Sequence, residues 1–175
     1  GSMLATLKKM MGTEYLCSRR WIWEQYDHTV MGDTIQRPGG GALKPVPDPA
    51  GKDLEHFYLQ MDGAAVFKHA VVGFAEEIEK TLARENLKPE EIAWIVPHQA
   101  NERIVDHAVE KLEIPREKVV MNLDRYGNTS SASIPIALAE AAERQQVQPG
   151  GLVLMVGFGA GLTWGSTLAR WEPRT

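Results

Sequence analysis

The chain has 175 residues, 43% of them hydrophobic, and a formal net charge of −4 at pH 7. That suits one domain with a sizeable core and argues against non-specific attraction to nucleic acid or to an anionic membrane. The single cysteine, Cys17, excludes an internal disulfide, no apolar run approaches the ~20 residues of a membrane span, and without a secretory signal the expected compartment is the cytoplasm.

Gly1-Ser2-Met3 reads as a cloning scar ahead of a start methionine and is set aside. Over "SRRWIWEQYD" (18–27), Ser18 as N-cap and the apolar Trp21, Ile22 and Tyr26 predict a short amphipathic helix. "HTVMGDTIQ" (28–36) alternates loosely and predicts a strand. "RPGGGALKPVPDPAGKD" (37–53) is crowded with glycine and proline, can join neither a helix nor a central strand, and divides the chain in two.

After the divide, strand and helix signals alternate. "HFYLQM" (56–61) predicts a strand, and residues 62–87 a helix with Val66, Ala70, Phe74, Ile78 and Leu82 on one face. The Glu76/Glu77/Glu79 group reads as that helix's wet face. "EIAWIVP" (91–97) predicts a buried strand, and "NERIVDHAVEKL" a helix with Ile104, Ala108 and Leu112 on one side. Residues 117–123, 151–159 and 163–171 predict strands, with a helix starting near Thr129 or Ser130. The expected class is α/β, a layered sheet with helices, mixed because the last two strands are joined too tightly for a helical crossover.

His98 in "IVPHQAN" follows an apolar strand and Pro97, at the strand end where open α/β sheets tend to hold ligands. A lone histidine there is more often a loop hydrogen-bonder. Two further stretches add to it. "DRYGNTSSAS" (124–133) sets Asn128 between a glycine turn and a helix N-terminus, and "GFGAGLTWG" (157–165) packs four glycines around another strand end. Together they offer an imidazole, a carboxamide and backbone N–H groups, donors able to stabilise charge developing on a carbonyl oxygen. His56, His69 and His107 lack a shared metal-ligand spacing, so no metal is expected.

"WIVPHQANERI", "NLDRYGNTSSASIPIAL" and "GFGAGLTWG" resemble the C-terminal half of β-ketoacyl-acyl carrier protein synthase III, over about Gly41 to Trp171. The resemblance implies a thiolase-like half-domain over residues 41–175. In that family a cysteine is acylated from acyl-CoA, and the acyl group condenses with malonyl-acyl carrier protein as carbon dioxide leaves. Acyl-CoA is there a substrate, and no cofactor is implied. By the resemblance His98 and Asn128 hydrogen-bond the malonyl thioester oxygen, and Phe158 and Gly159 belong to an oxyanion-hole loop. Asn101 falls where the CoA arm is contacted, and Arg103 where carrier protein docks. The family's cysteine lies in its first half, at a helix N-terminus that lowers the thiol pKa. Cys17, in "EYLCSRRW", stands in a different context.

"LCSRRWIWEQYDHTVMGDTIQRPGG" resembles a segment of the large subunit of phosphoribosylformylglycinamidine synthase. The two resemblances meet near Gly39 to Gly41, which implies a chimera with residues 4–40 of foreign origin. Condensing activity is then not expected, the alternatives being an acyltransferase or a weak module for CoA or acyl carrier protein. In the thiolase-like fold the helix over 130–143 packs against its counterpart from the other half. An exposed apolar face on it predicts a homodimer through this helix, with the borrowed segment patching the sheet or covering the core.

Overall fold

The computed structural model describes residues 22–25, 35–40, 50–51, 54–144, 146, 148–160 and 162–172. In chain order the strands and helices are β1 (Ile22–Gln25), β2 (Ile35–Gln36), β3 (Gln60–Met61), α1 (Gly63–Glu85), β4 (Ile92–Pro97), α2 (Glu102–Lys111), the one-turn α3 (Leu123–Tyr126), α4 (Ser133–Glu143), β5 (Leu152–Gly159) and β6 (Thr163–Arg170).

Four strands form the main sheet in the order β1-β6-β5-β4. β4 and β5 run parallel, whereas β6 is antiparallel to β5, so the expected mixed sheet is present. Alternation along the buried strands sends side chains to two cores. Ile92, Ile95, Leu154, Val156 and Leu168 meet α1 and α2 on one face, through Ala70, Phe74, Ile78, Ile104, Val105 and Ala108. Val96, Val153, Met155 and Ala169 meet α4 on the other, through Ile134, Ala137, Leu138 and Ala141. Each such side chain, taken fully from water, contributes roughly 1.5–3 kcal/mol before entropy is charged against it.

Helix α1 follows the predicted period: Val66, Ala70, Phe74, Ile78 and Leu82 are all buried. Asp62 caps it, its carboxylate accepting from the Ala65 N–H at 3.0 Å, and Asn86 ends it in the left-handed region at φ 53°. The wet-face reading fails at Glu77, which is 1% exposed. Glu77 lies one position from Ile78 and faces β6, where its Oε1 accepts from the Ser166 hydroxyl at 2.7 Å and Thr81 joins the same hydroxyl at 2.6 Å. A buried carboxylate is tolerated here because it is hydrogen-bonded.

Three other expectations are corrected. Within the segment read as a helix over 18–27, residues Ile22–Gln25 form strand β1, with Ile22 opposite Ser166 and Gln25 opposite Thr163. β6 would otherwise present an unpaired edge, and completing its ladder outweighs a weak helical period in a stretch rich in β-formers. Ser18, Trp21 and residues 26–34 lie outside the described residues. The main sheet is therefore extended by β1, while Ile35 and Gln36 pair with Met61 and Gln60 in a separate two-stranded ribbon. Of the strand predicted over 56–61 only Gln60–Met61 forms, while His56 and Phe57 belong to a 3₁₀ turn, Leu54–Phe57, with the His56 carbonyl taken by the Gly39 N–H at 2.6 Å.

The strand predicted over 117–123 is reduced to one parallel bridge, Ile95 with Val119. Its next backbone groups go to a side chain instead of a ladder. The Gln99 carboxamide, fully buried, donates to Val120 O at 3.3 Å and accepts from Asn122 N at 2.8 Å. The large apolar side chains exposed among the described residues are Leu54, Tyr58, Leu59, Met61, Val72 and Tyr126. None lies on α4, so the exposed apolar face expected of 130–143 is not found there.

Candidate functional site

Strand β4 stops at Pro97, but its neighbour β5 continues to Gly159. The His98 N–H still reaches Val156 O at 2.7 Å, after which the chain turns away into α2. Backbone groups two residues apart face the same edge of a strand, so those of Phe158 point to the edge that β4 has vacated. A cavity of about 830 Å³ opens there, lined among others by His98, Asn101, Asn128, Ser133, Phe158 and Gly159. Five of the six residues singled out in the sequence thus converge on one cavity from four strand and helix ends.

The sixth, Arg103, is exposed on the first turn of α2, its guanidinium 5.7 Å from the centre of the Phe67 ring, which lines the cavity. Asn101 is the N-cap of α2, its Oδ1 accepting from the Arg103 N–H at 3.0 Å. Phe158 and Gly159 are not loop residues. They pair with Trp164 and Thr163 across the β5–β6 hairpin, because the ladder runs to the last residue before the turn. Phe158 also packs against the Trp164 ring, centroids 5.8 Å apart.

Asn128 is oriented by its own loop. Its Oδ1 accepts from the Ser130 N–H at 2.9 Å, which leaves the amide nitrogen as the end free to donate elsewhere. Ser130 holds φ at +55°, a costly conformation for a residue with a side chain, and the kind of local strain that clusters at functional sites. His98 is held at Nδ1, 2.7 Å from the Ser133 hydroxyl. Burial lowers its pKa, an effect opposed by the Ser130 carbonyl, so the imidazole is neutral at pH 7. A neutral imidazole and a carboxamide facing an apolar cavity suit a ligand whose oxygen gains negative charge. Ser130 and Ser133 stand within a quoted motif, but the sequence carried no sign that they support a histidine thirty-odd positions earlier.

A four-membered cluster fixes the loop that carries Asn128. Glu140 on α4 accepts from both Arg125 nitrogens at 2.7 and 2.5 Å, from the Tyr126 hydroxyl at 2.6 Å and from the Asn122 amide at 3.1 Å. The Arg125 and Tyr126 hydrogen bonds hold its pKa at about 2, below the ordinary 4.5. A depressed carboxyl pKa contributes stability that is complete above the unfolded value and lost as pH falls through the folded one. The urea midpoint should therefore drop between pH 5 and pH 2 more steeply in the native protein than in a Glu140→Gln variant. Parallel pH profiles for the two would show that the cluster adds nothing.

Comparison with known proteins agrees with this geometry. The family described as 3-oxoacyl-[acyl-carrier-protein (ACP)] synthase III C terminal matches residues 82–171. The chain is 49% identical over 140 residues to β-ketoacyl-[acyl-carrier-protein] synthase III of Rhodopirellula baltica, covering 80% of this chain and 40% of that protein. The Chlorobaculum tepidum enzyme of the same name is 45% identical over 135 residues, 77% of this chain and 41% of that one. The crystal structure of the Thermus thermophilus synthase III superposes with a TM-score of 0.77 at 38% identity, over 94% of this chain and 49% of that one. Xanthomonas campestris OleA, at 18% identity and a TM-score of 0.68, shares the fold alone. The chain spans about two fifths of the length of the curated relatives it matches. With its thiolase-like α/β arrangement and a match over more than half its residues, the chain belongs to the 3-oxoacyl-[acyl-carrier-protein] synthase III family, whose C-terminal domain it carries.

Proposed function

We propose that this chain carries the malonyl-thioester half of a β-ketoacyl synthase site. His98 and Asn128 hydrogen-bond the thioester oxygen and stabilise the enolate formed as carbon dioxide leaves. The observation that supports it best is the pairing of a neutral, buried imidazole with an oriented carboxamide in one cavity of about 830 Å³. Preorganised donors of this kind lower the energy of developing negative charge without reorganising.

The wall of the cavity would take the thioester's pantetheine arm past Asn101, and Arg103 on α2 would meet the acidic surface of a carrier protein. Condensation also needs an acyl-accepting thiol. The one cysteine, Cys17, stands in "EYLCSRRW", a context unlike that of the family's nucleophile, so the reading for this chain alone is decarboxylation without condensation. The N-terminal stretch to residue 40 is read as a segment of different origin joined to the synthase domain, on the resemblance of "LCSRRWIWEQYDHTVMGDTIQRPGG" to phosphoribosylformylglycinamidine synthase. With no large apolar side chain exposed on α4, association of two chains through it would use the half-buried Pro135, Ile136 and Ala139; light scattering on a size-exclusion column measures it.

The test is carbon dioxide release from malonyl-CoA by the purified chain and by a His98→Ala/Asn128→Ala variant. The native chain should be at least roughly tenfold faster, a smaller ratio than the 10²–10³ lost when a complete site gives up an oxyanion donor. Equal rates would rule out the enolate-stabilising role.

A further inference from the structure

We propose that Ser133 is a positioning residue that sets the tautomer of His98, its hydroxyl donating to Nδ1 so that the hydrogen on Nε2 faces the cavity. This rests on the decarboxylation reading for its functional meaning, although the tautomer itself can be measured independently.

The Ser133 hydroxyl has a single hydrogen and three polar neighbours. The Gln99 N–H, 3.3 Å away, can only donate to Oγ. The Ser130 carbonyl, 2.9 Å away, can only accept. His98 Nδ1, 2.7 Å away, can do either. The Ser130 carbonyl already receives the backbone N–H of Ser133, so it does not depend on the hydroxyl. With the hydroxyl turned to Nδ1, the Gln99 N–H donates to Oγ, the O–H donates to Nδ1, and the Ser130 carbonyl keeps its backbone N–H. The neutral imidazole then carries its hydrogen on Nε2, the form able to donate to a thioester oxygen. With the hydroxyl turned to Ser130, Nδ1 must carry the hydrogen and Nε2 becomes a bare lone pair, which would repel an oxyanion.

Ser133 is 2% exposed and is the first residue of α4, so its rotor is confined and water does not compete for it. Removing the hydroxyl takes away the donor at Nδ1 and leaves the Ser130 carbonyl, the backbone group that hydrogen-bonds the His98 ring. A carbonyl cannot donate, so the imidazole should change to the Nδ1–H form. A wrong histidine tautomer disables a site even when every side chain stays in place.

The experiment is a two-bond ¹H–¹⁵N correlation spectrum of the chain labelled at histidine, at pH 7.5, with His98 assigned by its loss in a His98→Gln variant. The native spectrum should show a protonated Nε2 and a bare Nδ1. Ser133→Ala should exchange the two signals and cut carbon dioxide release from malonyl-CoA at least about tenfold, whereas Ser133→Thr, which restores a hydroxyl, should keep both the native pattern and the rate. A native spectrum with the hydrogen on Nδ1, or a Ser133→Ala pattern identical to the native one, would overturn the proposal. The native spectrum decides even if Ser133→Ala fails to fold. A chain with the Nε2–H pattern that releases no carbon dioxide would leave Ser133 in its role and refute the decarboxylation reading instead.

Discussion

Replacing Gln99 by leucine should cost about 3 kcal/mol of stability and displace Asn128, although the two side chains have similar volume. Gln99 is fully buried and joins two stretches that share no ladder there, through Val120 O at 3.3 Å and Asn122 N at 2.8 Å. Leucine would fill the space but leave a buried carbonyl and a buried N–H without that partner, and each such group costs roughly 1–3 kcal/mol. The gain from burying a more apolar side chain offsets part of the sum. The effect on function follows from position. Asn122 begins the segment that leads through α3 to Asn128, and it sits beside the residue that follows His98. Urea denaturation gives the stability change, and carbon dioxide release from malonyl-CoA gives the loss at the site. A Gln99→Leu protein of native stability would show that the 120–122 stretch is held without the carboxamide, by its apolar contacts, the Val120 N–H to Ile95 O bond and the Asn122 amide on Glu140.

Gly73→Ala is the second large effect, and its sign runs against helix propensity. Gly73 lies in the middle of α1, where alanine ordinarily gains about 1 kcal/mol over glycine. A methyl group there would stand 2.2 Å from Trp164 Nε1 and 2.3 Å from its Cε2. Trp164 is buried in β6 and packed against Phe158, so its ring has little room to retreat. Overpacking of this severity costs about 3 kcal/mol, leaving a net loss of about 2 kcal/mol and a fall in Tm of roughly 4–8 °C. Any retreat of the ring would be into the cavity, which Trp164 also lines. In a double-mutant cycle with Trp164→Leu, the penalty of Gly73→Ala should shrink, because the smaller side chain makes room. A penalty unchanged by Trp164→Leu would place the strain elsewhere in the helix.

Much of the fold was legible in the sequence because it depends on local period. Helix α1 buries the same five positions that its 3.6-residue spacing marks, and β4 and β5 lie where apolar runs end in proline and glycine. His98, Asn128 and the glycine-rich stretch 157–165 could be singled out because strand ends and glycine turns leave polar groups free for a ligand, whereas Phe158 and Gly159 were named by the resemblance. The resemblance to the synthases supplied roles for them that period alone could not.

What the sequence could not decide were features whose cause lies far along the chain. Ile22–Gln25 became a strand because β6, some 140 positions later, had an open edge. The stretch after Val119 left the ladder as a buried carboxamide at position 99 took Val120 O and Asn122 N, and Glu77 turned inward to meet a hydroxyl on β6. Ser133 touches His98 for the same reason, since only the folding of α4 onto the sheet brings the two together. By itself the sequence determined which residues prefer helix or strand and which could do chemistry. Which of them meet was decided by the tertiary structure, because hydrogen-bond partners and open strand edges depend on where distant segments pack.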